Sequence, residues 1–174
     1  KGAMERHQNG LLIPREQQMS IWTDGSFNLE SEDGSPPVSG AASIVRIMDI
    51  YPGVDSPEVN EYISQVKIHN ARSSYECEII ALHIGLDSAI EQKTSGKTIH
   101  IFTDSLSCLQ QLACLPYRYT YTNSIVTEVA TKLAELVEDN EVELHFTPSH
   151  TKEIPESDRI DEFAKEAVMD GDDT

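Results

Sequence analysis

The order in which the hydrophobic period changes along the chain constrains its fold more than any other feature. Three strand-like segments come first. MSIWTDGS (19–26) reads as a strand running into a turn. AASIVRIMDIY (41–51) reads as a second strand through Ile44, Val45 and Ile47, and EYISQVKIHN (61–70) as a third through Tyr62, Ile63, Val66 and Ile68. They are separated by NLESEDGSPPVSG (28–40) and PGVDSPE (52–58), both rich in turn formers. The strongest helical pattern, SSYECEIIALHIGLDSAIEQ (73–92), follows them. From there strand and helix alternate. TIHIFTD (98–104) is a strand of buried type, SLSCLQQLACL (105–115) a helix, PYRYTYTNS (116–124) a loop and IVTEVATKLAELVED (125–139) a helix. EVELHFTPS (141–149) is a strand ending in a Pro-containing loop. The last helix is expected to start near Ser157 as N-cap, with Ile160, Phe163, Ala164, Ala167 and Val168 as its apolar stripe. A meander followed by strand–helix alternation predicts an α/β fold: a mixed five-stranded sheet, antiparallel in its first three strands and parallel in the rest, flanked by helices.

A chain of 174 residues accommodates one domain with a sizeable core. Residues 1–18 are polar; KGAM reads as a tag remnant and the rest as a flexible N-terminal segment, leaving a domain over 19–169 and an acidic tail over 170–174. No run of 18 apolar residues could span a membrane, and no signal-peptide pattern opens the chain. Cys77, Cys108 and Cys114 lie in apolar helical stretches without CxxC spacing, so they read as reduced buried thiols, not as a zinc site or disulfide framework. That usage suits a cytoplasmic or nuclear setting.

The formal net charge is −17. Phosphate contacts supply much of the affinity of nucleic-acid binders, so charge alone argues against such a partner. Part of the acidity is local, in Glu30, Glu32 and Asp33 and in Asp170, Asp172 and Asp173, where a solvated surface accounts for it.

Among 30 acids, placement distinguishes a few. Asp24 and Asp104 each end an apolar strand, preceded by Thr and followed by a small residue. Asp104 directly precedes a helix, so it serves either as a helix cap or as part of a site. In the helix after residue 73, the 100° step groups Glu76 with His83 and Asp87 on a polar face. Glu78 falls on nearly the opposite side, near Ala81, Leu82 and Gly85, where an unpaired carboxylate is costly and needs a partner or a cation. Asp161 borders the apolar stripe of the last helix. Inward acids held close together repel one another unless a divalent cation reverses the sign of that interaction, and hard oxygen ligands favour Mg²⁺ or Mn²⁺ over zinc.

With these residues in view, the chain resembles the type 1 ribonuclease H family, and within it the retroelement branch. Four blocks stand in family order: IWTDGS (21–26), SSYECEIIALHIGL (73–86), IHIFTDSLSCLQQL (99–112) and VELHFTPSHTKEIPESDRIDEFAKEA (142–167). The resemblance covers roughly residues 19–168. It implies a ribonuclease H-like fold. It also implies two Mg²⁺ ions, with Mn²⁺ as a substitute, held by Asp24, Glu78, Asp104 and Asp161, and hydrolysis of the RNA strand of an RNA–DNA hybrid. His150 would assist proton transfer or product release from a loop, and Asp158 stands at the position of an accessory acid. Gly25, Ser26, Ser74, Ser105, Arg72 and Arg118 are the implied hybrid contacts. The branch implies a linked or associated reverse transcriptase as partner.

Several positions depart from the family pattern. Phe146 and Ser149 stand where Trp and Gly are common, Leu106 where a hybrid-reading Gln is common, and Ser74 where Asn precedes the catalytic Glu. The basic Trp-bearing handle of cellular enzymes has no counterpart; PYRYTYTNS offers Arg118 and tyrosines instead, more readily explained by loop packing than by base stacking. Candidate phosphate contacts are Arg72, Lys97, Arg118, Lys152 and Arg159, few enough to predict weak binding by the domain alone. An active hybrid nuclease, a catalytically silent module of the same fold used as a scaffold, and a different nuclease on that fold all remain open. The complete acid set argues against the second, and the loop histidine and the spacing of the last block argue against the third.

Overall fold

A computed structural model of the chain describes residues 16–113, 124–148 and 154–173. Strands β1 (Glu16–Ser26), β2 (Val38–Ile50) and β3 (Glu58–His69) form the antiparallel meander. Helix α1 (Ser74–Glu91) then crosses to β4 (Thr98–Thr103), which pairs parallel to β1. Helices α2 (Leu106–Ala113) and α3 (Ser124–Asp139) precede β5 (Glu141–Phe146), parallel to β4. Helix α4 (Pro155–Asp170) is followed by β6 (Asp172–Asp173), which pairs parallel to β3 at Val66 and Lys67. The sheet order is β5-β4-β1-β2-β3-β6. The mixed α/β architecture is therefore as expected, with a sixth short strand that the sequence pattern did not suggest. Two acidic residues have no hydrophobic period to betray a strand; they join the sheet because α4 delivers them to the edge of β3.

Boundaries moved where pairing overrides the hydrophobic pattern. β1 begins at Glu16, inside the segment expected to be loose, because Gln17 and Gln18 stand opposite Asp49 and Met48 and the Gln17 amide donates to Asp49 Oδ1 at 2.6 Å. The last helix begins at Pro155, not after Ser157. Proline needs no N–H donor in the first turn, and the Ser157 and Asp158 amides donate to the Ile154 carbonyl.

The core lies on both sheet faces. On one, Met19, Ile21, Val45, Ile99 and Ile101 pack against Leu82 and Leu86 of α1 and Val126 and Val129 of α3. On the other, Trp22, Ala42 and Ile44 pack against Ile160 and Ala164 of α4. Two glycines set how closely the helices approach. A Cβ on Gly85 would sit 2.9 Å from a methyl of Ile21 and 3.1 Å from one of Thr23, and a Cβ on Gly40 would overlap the Ala164 carbonyl. These approaches clamp α1 onto β1, which carries Asp24, and α4 onto the neighbouring β2.

Candidate active site

The parallel pairing of β1 and β4 aligns Trp22 with Phe102, so Asp24 and Asp104 emerge side by side where both strands end. The N-terminal turns of α1 pass directly beneath. An added Cβ on Gly25 would lie 2.7 Å from the Cys77 backbone and 2.9 Å from the Glu78 nitrogen. Only glycine lets the strand and the helix touch there, and this contact carries Glu78 into the space between the two aspartates. Carboxylate oxygens of Asp24, Glu78 and Asp104 lie within 4.8 Å of one another.

The helix separates its two acids as the wheel predicted. Glu76 accepts the Arg72 amide at 2.9 Å while its own amide donates to the Ser73 hydroxyl, closing the N-terminal cap of α1. His83 pairs with Glu128 at 2.8 Å and with Asp87 on the same outer face. Glu78 faces inward, and its Oε2 is buried without a hydrogen-bond partner. Asp104 is not the cap of α2. That role belongs to Ser105, whose hydroxyl accepts the Cys108 amide at 3.3 Å.

Burial and like charge dominate the electrostatics. Asp24, 6% exposed, has its pKa raised from 3.8 to about 7, chiefly by desolvation, then by the charges of Asp104 and Asp161. The Gly25 amide, donating to Asp24 Oδ1 at 2.9 Å, opposes the shift. Glu78 is pushed from 4.5 up to about 10 by desolvation and by the charges of Asp24 and Asp104. The metal-free pair therefore keeps a proton on Glu78, which it donates to Asp24. The buried thiols Cys77 and Cys108 are free and pushed up to about 11 and 12 by the same desolvation, as inert core residues are.

Asp161 belongs to this neighbourhood through its charge, which contributes to the shift of Asp24, but it stands outside the tight cluster and pairs with Lys165 at 2.7 Å. Asp158 is exposed in the first turn of α4. The donor set fits divalent cations: acid oxygens only, close enough to share an ion, with one buried oxygen lacking any partner.

The expected substrate contacts divide. Gly25 and Ser26 close β1 beside Asp24, and Ser74 and Arg72 are exposed at the start of α1. Ser105 follows Asp104, its hydroxyl engaged in the cap. Leu106, 54% exposed, stands on the rim next to it. Lys97 lies before the opposite end of β4, roughly 20 Å from Asp104 by strand rise. Arg159 is committed elsewhere, bonded to Glu61 at 2.7 Å and lying over the Phe163 ring. Arg118, His150, Lys152, Ser149 and Cys114 lie outside the described residues. Sequence reasoning missed Lys165 as the partner of Asp161; its i,i+4 spacing was the available signal.

A family model for RNase H matches residues 16–169. No curated protein matches the chain. Among solved structures, RNase H1 from the halophilic archaeon Halobacterium salinarum NRC-1 aligns with a TM-score of 0.57 at 18% identity, covering 87% of this chain and 97% of that one. LC11-RNase H1 in complex with RNA/DNA hybrid aligns at 0.55 and 17% identity, covering 86% and 96%. A foamy viral protease–reverse transcriptase in complex with RNA/DNA hybrid aligns at 0.61 and 15% identity, covering 87% of this chain and 20% of that one.

Proposed function

The chain belongs to the RNase H family and is thereby a ribonuclease H enzyme, and we propose that it hydrolyses the RNA strand of RNA–DNA hybrids with two divalent cations held by Asp24, Glu78, Asp104 and Asp161. The observation that carries this reading is the meeting of three strand- and helix-borne carboxylates within 4.8 Å of one another, with a buried, unpartnered Glu78 oxygen. Mg²⁺ is the proposed ion and Mn²⁺ its substitute, because the donors are hard oxygens. Bound there, the ions would supply Lewis-acid polarisation of the phosphodiester, a nucleophilic water and charge for the leaving oxygen.

The chain's own residues prepare that chemistry. Gly25 fixes the distance between the end of β1 and α1, so Asp24 and Glu78 are preset. Ser105 takes the capping duty that would otherwise engage Asp104. The proton on Glu78 must leave before its oxygens can serve a cation, so loading the site releases protons at neutral pH. Asp161 holds Lys165 through its Oδ2, and its other carboxylate oxygen would be the one to join the ions. His150 is proposed, on family resemblance, to move a proton at the product end.

Recognition would rest on duplex shape and 2′-hydroxyls, with Gly25, Ser26, Ser74, Ser105, Arg72 and Arg118 as candidate contacts. A reverse transcriptase, covalently linked or associated as in a retroelement, is the proposed partner and would raise the effective concentration of hybrid. The likeness to a viral protease–reverse transcriptase supports that reading. No helix among the described residues is long and apolar enough to cross a membrane. The buried free thiols support a cytoplasmic or nuclear setting.

Labelled RNA–DNA hybrid, RNA duplex and DNA duplex incubated with Mg²⁺ or Mn²⁺ test the proposal. Cleavage confined to the RNA of the hybrid, abolished by Asp104→Asn, is expected. A folded wild type inert in both metals would favour a silent scaffold, and cleavage of duplex DNA would indicate another nuclease on this fold.

A further inference from the structure

β5 is the edge strand beyond β4. Parallel pairing sets Glu143 beside His100 and His145 beside Phe102, on the sheet face that carries Trp22. His100 Nδ1 lies 2.9 Å from His145 Nε2 and 3.1 Å from Glu143 Oε2, and His145 Nε2 lies 3.6 Å from the same oxygen. Two imidazole nitrogens and a carboxylate oxygen thus converge on one point. A single proton can lie between the two nitrogens, but it leaves the third donor only partly satisfied. A tetrahedral ion with bonds of about 2.0–2.1 Å holds its ligand atoms about 3.3 Å apart, the middle of the observed range.

We propose that His100, Glu143 and His145 form a metal site for zinc or a similar borderline divalent ion, which fastens edge strand β5 to β4. Imidazole nitrogens select such ions over Mg²⁺, so the site differs in chemistry from the carboxylate cluster. It also differs in place, since His100 lies roughly 13 Å and His145, beside Phe102, roughly 7 Å before Asp104 along the strand direction. The ligand rings are partly preset. Phe102 stacks on His145 with centroids 4.8 Å apart and an interplanar angle of 18°, and on the buried Trp22 at 4.0 Å and 9°. Side-chain exposures of 33%, 37% and 46% for His100, His145 and Glu143 leave an entry path and an open fourth position for water. Because β5 is the outermost strand of the sheet among the described residues, a clip here would suppress its fraying and edge-to-edge pairing. The inference does not depend on the catalytic reading.

The test titrates Zn²⁺, and Co²⁺ as a spectroscopic probe, into the full chain carrying Asp24→Asn and Asp104→Asn, which removes the carboxylate site. Uptake of one ion at micromolar concentration is expected, with the visible absorption of four-coordinate Co²⁺ and a rise of several degrees in the unfolding midpoint. Adding His145→Phe, which keeps the stack on Phe102, should weaken uptake at least about tenfold, as should His100→Ala. Absence of uptake in a tenfold excess of Zn²⁺ would overturn the proposal and leave a hydrogen-bonded trio. So would uptake that His145→Phe leaves unchanged.

Discussion

Replacing Glu78 by glutamine should stabilise the metal-free protein, and by an amount that grows with pH. In the folded state Glu78 titrates at about 10 and in the unfolded chain near 4.5. Between those values the native state holds a proton that the unfolded state has released, so stability falls as pH rises. Each pH unit costs about 1.4 kcal/mol. From pH 4.5 to pH 8 the wild type therefore loses up to about 5 kcal/mol through this one group. Glutamine is neutral throughout and can still donate to Asp24, so the variant escapes that loss. Urea unfolding in EDTA should show the two proteins nearly equal at pH 4.5 and Glu78→Gln ahead at pH 8, by roughly 10 °C if followed thermally. Saturating Mg²⁺ should shrink or reverse the gap, because the wild type, with its full set of carboxylates, gains more binding energy from the ion. Hybrid cleavage should be lost. A variant less stable than wild type in EDTA at pH 8, or a gap independent of pH, would refute the buried-proton account.

Gly25→Ala should cost about 1–3 kcal/mol, because its Cβ would meet the Cys77 backbone at 2.7 Å; the displaced Glu78 should lower single-turnover cleavage by at least about tenfold even in protein that remains folded. Glu61 is held down to about 2, above all by the hydrogen bond from Arg159 and also by that from Arg46. Its contribution is complete above pH 4.5 and lost as pH falls towards 2; because solvent screens this pair, Glu61→Gln should cost about 1–2 kcal/mol at pH 7 and little at pH 2, checked by denaturant titration at both. Lys165→Ala removes an exposed i,i+4 pair and should change stability by less than about 0.5 kcal/mol, with cleavage within a few fold; a large loss of hybrid affinity would instead place Lys165 on the substrate.

The placement of the candidate site's residues was legible wherever it depended on local periodicity. The 3.6-residue step alone separated Glu78 from Glu76, and strand ends singled out Asp24 and Asp104. Whether Asp104 was a cap could not be read locally, since Asp104 and Ser105 are adjacent and both cap helices well; the choice of Ser105 depends on where β4 stops. Asp161 looked weak because its relation to Asp24 is set by the seating of α4 on Gly40, a tertiary contact. The histidine trio was invisible for a similar reason. Glu143 and His145 share a face by strand alternation, but His100 joins them only through the register of a parallel pair whose connection spans two helices. β6 carries no pattern at all.

The acidity that argued against a nucleic-acid partner now has a structural distribution. Arg46 lies between Glu61 and Glu156, Lys132 pairs with Asp87, Lys165 with Asp161, and Arg159 with Glu61. These cations neutralise the chain's own acids and are poorly placed to attract phosphate. Around Asp24, Glu78 and Asp104 the local charge is negative, so in the absence of metal the same groups that repel one another also repel a phosphodiester. Divalent ions held there, as proposed, would reverse both effects at once: they would relieve the repulsion among the acids and add positive charge that the paired cations Arg46, Lys132, Arg159 and Lys165 do not offer. On the proposed function, metal and hybrid affinities would then be linked, each strengthening the other by the same factor. A net charge of −17 is on this view compatible with a hybrid nuclease, provided the cations that contact the scissile phosphate are the ones the site binds.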